Sequence, residues 1–236
     1  MESRALAEAF RELSTPLVAD ASLRLKVPMQ LAPEGVLPVV PGSRAAGRVR
    51  PARHAGSVDV FLEAVEKAQP GDLLVVDNAG RRDEGCIGDL TVLEARSAGL
   101  SGALVWGCHR DTLELVEIGF PVFSYGRCPS GPRRLDPPPD GALTTARFGD
   151  DVAVDPGWAA FADDDGIVFV PAASAGAIVE AAREIHIREQ RQAERVRGGT
   201  TLRHQLRFDE YLRRRASDPA YTLRRHLQEL GGAIEV

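Results

Sequence analysis

Residues 71–125 read GDLLVVDNAGRRDEGCIGDLTVLEARSAGLSGALVWGCHRDTLELVEIGFPVFSY, and the order of apolar runs and breaks in this stretch decides the fold class. Leu73 to Val76 and Ala103 to Trp106 are short apolar runs bounded by turn residues, the pattern of strands covered on both faces. Between them Leu90, Val92, Leu93 and Ala98 fall at helical spacing and stop at Gly99. Strand, helix and strand of these lengths make a βαβ unit. Thr112 to Ile118 adds a short helix closed by Gly119, and Pro121 to Tyr125 adds a further strand. The class is α/β.

Working outward, Val58, Phe61, Leu62 and Val65 mark a helix that ends before Gln69-Pro70-Gly71, and Gly47 to Arg50 reads as the strand before it. Residues 2–13 carry Leu6, Ala9, Phe10 and Leu13 at helical spacing, and Ser14-Thr15-Pro16 opens a second helix. Downstream of Gly126 come a proline-rich bend at 129–139 and short β-like pieces around 142–147 and 151–154. Phe161 to Val170 then reads as a hairpin. Its Asp163-Asp164-Asp165 is read as a turn, because an EF-hand loop needs alternating ligands and a terminal Glu that are missing. From Ser174 a long helix runs to about Arg197, followed by Gly198-Gly199 and further helical segments. The expected organisation is an α/β catalytic domain over 1–173 and a helical arm over 174–236, packed on the core or on a neighbouring subunit.

With 44% hydrophobic and 27% charged residues in a chain of 236, the composition is that of a globular protein. A net charge of −5 disfavours nucleic acid and anionic membranes as partners. Residues 183–225 hold twelve arginines against six acids, but Ile185, Ile187, Val196, Leu202, Leu206 and Tyr211 are too apolar for a mere basic tail. The arginine–acid mixture reads as helix ion pairs, and no nucleic-acid partner is expected. Cys86, Cys108 and Cys128 form no C-x-x-C pair, which argues against disulfides and a thiolate zinc site. No run approaches the ~20 apolar residues of a membrane span, and a cytoplasmic location is expected.

Several motifs fail on their neighbours. Gly80-x-x-x-x-Gly85 is followed by Cys86-Ile87 where a phosphate loop needs Lys-Ser/Thr. His109-Arg110-Asp111 spells a kinase triplet without its Asn, and Gly99 to Gly102 is no hydrolase elbow. What remains is position. Ligands bind beyond the carboxyl ends of parallel strands, and two such ends are expected as loops at Asp77 to Asp89 and Gly107 to Asp111. Gly88-Asp89 opens one helix, so the Leu90 and Thr91 amides are expected as open donors for an anion. Arg110-Asp111 opens the next, bringing a guanidinium suited to a carboxylate and a hard oxygen suited to Mg²⁺. Equally, Asp89 and Asp111 suit helix N-termini as caps, with Arg110 paired to one of them.

Residues 71–132 resemble the metal-dependent pyruvate aldolases (4-hydroxy-4-methyl-2-oxoglutarate aldolase) and their relatives, the RraA regulators of ribonuclease activity. The signature is Gly-Asp, twenty residues, Arg-Asp, two residues, an acid, then a Pro-x-Phe strand; here Gly88-Asp89, Arg110-Asp111, Glu114 and Pro121-Val-Phe123. The resemblance implies a swivelling β/β/α layered domain, here with a C-terminal helical extension, assembled as homotrimers or homohexamers. It implies that Asp111 ligates Mg²⁺ or Mn²⁺, that Arg110 grips the carboxylate of a small 2-oxo acid, and that Asp89 holds metal-bound water. Gly88 and the amides of Leu90 and Thr91 would complete the substrate pocket. A carboxylate from an adjacent subunit is also implied, with Glu184 or Glu189 as candidates. Where the family commonly has an acid, Gly and a small aliphatic before the Arg, this chain has Trp106-Gly107-Cys108-His109, which puts bulk and an imidazole beside the expected site.

Cleaving a C–C bond next to a 2-oxo acid leaves an enolate that needs stabilising. The only lysines are Lys26, near a proline bend, and Lys67, on an amphipathic helix, so a Schiff base is unattractive and the metal route is expected. The expected activity is release of pyruvate from a 4-hydroxy-2-oxo acid. Oxaloacetate decarboxylation and non-catalytic binding of a ribonuclease are the alternatives.

Overall fold

The computed structural model describes residues 1–149 and 151–231. In chain order its elements are α1 Ser3–Phe10, α2 Thr15–Leu25, β1 Gln30–Leu31, β2 Leu37–Pro38, β3 Ala45–Arg53, α3 Asp59–Glu66, β4 Leu73–Ile87, α4 Asp89–Ser97, β5 Gly102–His109, α5 Thr112–Ile118 and β6 Val122–Ser124. There follow β7 Ala146–Arg147, β8 Ala153–Val154, β9 Trp158–Asp163, β10 Gly166–Pro171, α6 Ala175–Arg197, α7 Leu202–Gln205, α8 Phe208–Ser217 and α9 Leu223–Glu229. The strands β3, β4, β5 and β6 are parallel neighbours, as the alternation predicted. Antiparallel β9, β10 and β1 extend the sheet beyond β3, and β2 closes its far edge on β6.

Period-two alternation divides the apolar residues between the two sheet faces. Leu74 and Val76 pack outward under α3, α4 and α5 with Val92, Ala95 and Leu115. Leu73 and Val75 pack inward with Leu104, Phe123, Ala160, Phe169 and, from the β7–β8 region, Phe148. At the antiparallel end, Phe161, Val168 and Val170 carry α1, α2 and the first half of α6 through Ile178, Val179 and Ala182. The curled sheet thus covers its own inner face, while helices cover the outer one. Beyond the core, α6 leads to α7, α8 and α9, where Tyr211, Tyr221 and His226 bury one another and His226 Nε2 donates to Leu206 O at 3.0 Å.

Two local expectations change. The expected loop from Asp77 is strand as far as Ile87, paired with β5 through register shifts between Asp77 and Arg81, Arg81 and Gly85, and Gly85 and Ile87. Ala79 and Gly80 take positive φ of 52° and 65°, the left-handed geometry of bulges that let a polar segment stay in the ladder. Likewise β5 reaches His109, so the second loop shrinks to Arg110-Asp111. The α2 start falls at Thr15, but Ser14 makes no side-chain cap bond. Asp163 caps it from the hairpin, accepting Thr15 N at 2.8 Å and Thr15 Oγ1 at 2.6 Å. Its Oδ1 also takes the Asp165 amide at 3.0 Å, so the aspartate run is a turn whose first carboxylate is committed to the fold. Among the described residues no helix is long and apolar enough to cross a membrane.

Candidate active site

Strand register builds the site. Ile87 lies opposite His109 in the parallel β4–β5 ladder, and Arg110 N donates to Ile87 O at 2.9 Å. The two residues leaving each strand, Gly88-Asp89 and Arg110-Asp111, therefore stand side by side. The Asp89 amide points at Asp111 Oδ2 at 3.4 Å, and Arg110 Nε lies 3.3 Å from the same oxygen. Gly88 is extended, so its backbone angles suit any residue. Space is the constraint: a Cβ there would stand 2.2 Å from Asp111 Oδ2.

The capping alternative holds in part. Asp111 occupies the N-cap position of α5 in the left-handed region (φ 58°, ψ 46°) and makes no side-chain cap bond. A non-glycine residue there costs roughly 1–2 kcal/mol, least for Asp and Asn. Asp89 is the first residue of α4, and its Oδ1 accepts the Leu90 amide at 2.7 Å. That corrects the expectation of Leu90 as an open donor, because the carboxylate at the helix start folds back onto that amide. Thr91 and Gly88 line the adjoining cavity of ≈ 640 Å³, together with Asp89, Leu90 and Arg110.

The segment after β6 forms a wall that the sequence did not announce. Ser130 O accepts the Gly85 amide at 2.8 Å and His109 O accepts the Cys128 amide at 2.8 Å. This brings Gly131 beside Arg110, whose Nη1 would lie 2.9 Å from a Cβ placed there, while Pro132 lines the cavity. Arg134 anchors the segment: its Nη2 donates to Glu84 Oε1 at 3.0 Å, Asn78 Oδ1 at 2.8 Å and His54 O at 3.2 Å. His54, Asn78 and Glu84 are all buried, and His54 Nδ1 donates to Asn78 Oδ1 at 2.9 Å. The available sequence signal was Ser130-Gly131-Pro132 within the proline-rich bend.

The residues expected to crowd the site do otherwise. Trp106 is buried in the inner-face cluster with Val75 and Leu104, with Gly80 packed against its indole, away from the helices that line the cavity. His109 is buried, its Nδ1 2.7 Å from Ser124 Oγ and its Nε2 3.1 Å from Thr112 Oγ1. Both nitrogens are satisfied inside the fold, so the imidazole braces β5 against β6 and α5. Burial, and then the Arg127 charge, hold its pKa below the usual histidine value, against the pull of Asp111. Cys108 is buried, and burial raises its thiol pKa, with Cys128 adding to the shift. Cys86 lines the cavity, but burial and then Glu84 push its thiol far up, so it is no thiolate nucleophile.

Among the described residues no group of three or more His, Cys, Asp or Glu is gathered to hold a metal. The hard oxygens at hand are the carboxylates of Asp111 and Asp89. That donor set fits Mg²⁺, which keeps several waters and takes one or two carboxylates, and fits no zinc-type cage. Glu184 pairs with Arg24 of its own chain at 3.2 Å.

A family model described as RraA-like, Aldolase/RraA, matches residues 15–169, from α2 to β10, and includes every residue of the candidate site. An uncharacterised protein of Methanocaldococcus jannaschii is 30% identical over 130 residues, which are 55% of this chain and 61% of that protein. The chain thus spans less than two thirds of this relative. A Pseudomonas aeruginosa protein that carries the provisional name 4-hydroxy-4-methyl-2-oxoglutarate aldolase is 32% identical over 111 residues, 47% of this chain and 67% of its own length. Among solved structures, an uncharacterised Pseudomonas syringae protein superposes with a TM-score of 0.71 at 25% identity, over 84% of this chain and 95% of its own. RraAS2 of Streptomyces coelicolor, titled an unusual member of the RNase ES inhibitor RraA family, gives 0.65 at 26%, over 79% and 94%. Because the family model covers more than half of the chain and spans its whole parallel unit, the chain belongs to the RraA-like, Aldolase/RraA family.

Proposed function

We propose that the protein is a divalent-metal-dependent carbon–carbon lyase that releases pyruvate from a 4-hydroxy-2-oxo acid. The observation that carries this reading is the apposition of Arg110-Asp111 with Gly88-Asp89 at the mouth of a cavity sized for a small substrate. The aldolase name of the Pseudomonas aeruginosa relative supports the reaction class. Arg110 offers its guanidinium to the substrate carboxylate, for which the two-pronged geometry is suited. Asp111 would hold Mg²⁺ or Mn²⁺, with Asp89 beside it. When bound, such an ion stabilises the negative charge that cleavage leaves on the 2-oxo oxygen. Asp89 lines the cavity close enough to the helix start to orient water or accept the 4-hydroxyl proton. Assembly into trimers or hexamers belongs to the same proposal and is supported by the exposed apolar side chains Leu113 and Val116 on α5 next to Asp111.

The RNase-inhibitor title of the Streptomyces neighbour supports a second reading, a binding protein without turnover. Pyruvate release from a 4-hydroxy-2-oxo acid decides between them. Chelator is expected to abolish it and Mg²⁺ or Mn²⁺ to restore it, whereas borohydride plus substrate leaves it intact. Trapping on Lys26 or Lys67 would overturn the metal route, and absence of metal-dependent release would leave the binding reading.

A further inference from the structure

The side chain of Arg110 lies along bare backbone from its root to its tip. At Gly85 a Cβ would stand 2.9 Å from Arg110 Cβ, at Gly88 it would stand 3.2 Å from both Cγ and Nε, and at Gly131 it would stand 2.9 Å from Nη1. The three glycines come from separate pieces of chain: the bulged end of β4, the turn into α4, and the segment after β6 whose Ser130 O accepts the Gly85 amide at 2.8 Å. Each stands where a larger residue would meet the arginine, so Arg110 occupies a track that only glycine leaves open. An arginine half exposed to water ordinarily spreads over many rotamers, and ordering them is a cost charged to every ligand it binds. A track that has already ordered the stem removes part of that cost. Nε stands 3.3 Å from Asp111 Oδ2, the one ion pair of Arg110 among the described residues, which leaves the two Nη nitrogens at the free end for a ligand.

We propose that Gly131 is a positioning residue for Arg110: by carrying no side chain it lets the guanidinium lie extended beside Asp111, in the pose that receives the substrate carboxylate. The inference rests on the lyase reading, which assigns that carboxylate to Arg110, and adds the residue that sets the pose. Of the three glycines, Gly131 is the one at which the role can be isolated. A Cβ at Gly85 would also strike Cys128 O at 2.6 Å and His109 O at 3.0 Å, which are backbone atoms, and a Cβ at Gly88 would strike Asp111 Oδ2 at 2.2 Å. At Gly131 the guanidinium tip is the sole atom within 4 Å among the described residues, its chain neighbours apart. Gly131 does not have a positive φ, so alanine takes its backbone angles without strain. A methyl at 131 therefore moves the far end of one flexible side chain and little else.

The test places Gly131→Ala in two backgrounds, the wild type and Arg110→Lys, where the Nη nitrogens are gone. Mg²⁺-dependent pyruvate release is followed from 4-hydroxy-4-methyl-2-oxoglutarate or 4-hydroxy-2-oxopentanoate, whichever is cleaved faster, together with inhibition by pyruvate and the melting temperature. In the wild-type background the alanine is expected to raise KM and weaken pyruvate inhibition by about tenfold or more, because a displaced clamp loses substrate and product alike. The kcat should change far less, and the melting temperature and Mg²⁺ requirement should hold. In the Arg110→Lys background the same alanine is expected to cost less than about twofold, since nothing remains for the methyl to displace. Unchanged KM and pyruvate inhibition in Gly131→Ala overturn the positioning role and leave the lyase reading standing. Losses that multiply across the two backgrounds, or failure of both alanine variants to fold, mean that the methyl meets something other than the guanidinium and overturn the role as well. No metal-dependent release from either hydroxy acid by the wild type overturns the lyase reading itself, and the positioning role falls with it.

Discussion

Arg110, Asp111 and Gly88 meet within a few ångströms, and each answers differently to substitution. Lysine at 110 keeps the charge but loses the planar fork, so Arg110→Lys is expected to lower kcat/KM roughly 10- to 150-fold through one lost charge-assisted hydrogen bond. Because Arg110 is half exposed, the melting temperature should scarcely move. Unchanged pyruvate inhibition with a lowered melting temperature would instead make Arg110 a mere partner of Asp111. Gly88→Ala puts a methyl where Asp111 Oδ2 now sits, 2.2 Å from the ideal Cβ position. The carboxylate has room to swing toward solvent, since its side chain is 33% exposed, so the fold survives while the metal-dependent activity is expected to collapse. Full activity in Gly88→Ala, measured as Mg²⁺-dependent pyruvate release, would show that Asp111 works from some other rotamer.

Between β4 and the segment after β6, a single ion-paired knot fixes an element that has no regular structure of its own. Glu84 is almost wholly buried, and Arg134 supplies its shortest bond at 3.0 Å, with Arg81 and His54 standing further off at 3.6 and 3.8 Å. Arg134→Met strands that carboxylate and is expected to cost roughly 3 kcal/mol, reduced by the partial exposure of the guanidinium. Adding Glu84→Gln should recover part of the loss, as a double-mutant cycle in urea would show. Additive losses would mean the pair is not coupled. Sequence reading had no access to this knot. The apolar runs at 73–76 and 103–106 announced themselves because both of their faces are covered, but Asp77 to Gly85 carries no apolar side chain beyond Ala79 and becomes strand only because β5 continues beside it. The pairs Gly88-Asp89 and Arg110-Asp111 were visible as residues at strand ends, whereas their contact follows from the Ile87–His109 register, which no local pattern encodes. The approach of Leu62 on α3 to the cavity and the seat of Gly131 against Arg110 are long-range packing in the same sense.

Across the whole molecule, the same buried polar layer ties stability to pH. His54 lies 6% exposed, stacked on Phe61 with ring centroids 5.1 Å apart, and its Nε2 has no hydrogen-bond partner among the described residues. Burial, with the Arg134 charge adding to it, holds its pKa below 6.5, against the bond to Asn78 and the charges of Glu84 and Asp59. In the unfolded chain the ring takes up a proton near pH 6.5. Between the depressed folded value and that point the unfolded state binds more protons, so unfolding free energy rises with pH through the window and is lost on acidification below about pH 6.5. His109 shifts in the same direction, so the protein carries two such groups. The urea midpoint is therefore expected to fall between pH 7.5 and 5.5, and His54→Gln, which keeps a polar group for Asn78, should flatten that fall without abolishing it. A midpoint that rises on acidification would show that His54 is charged in the folded protein and that Glu84 rather than burial governs the knot, and a slope unchanged by His54→Gln would show that its proton affinity does not change on folding.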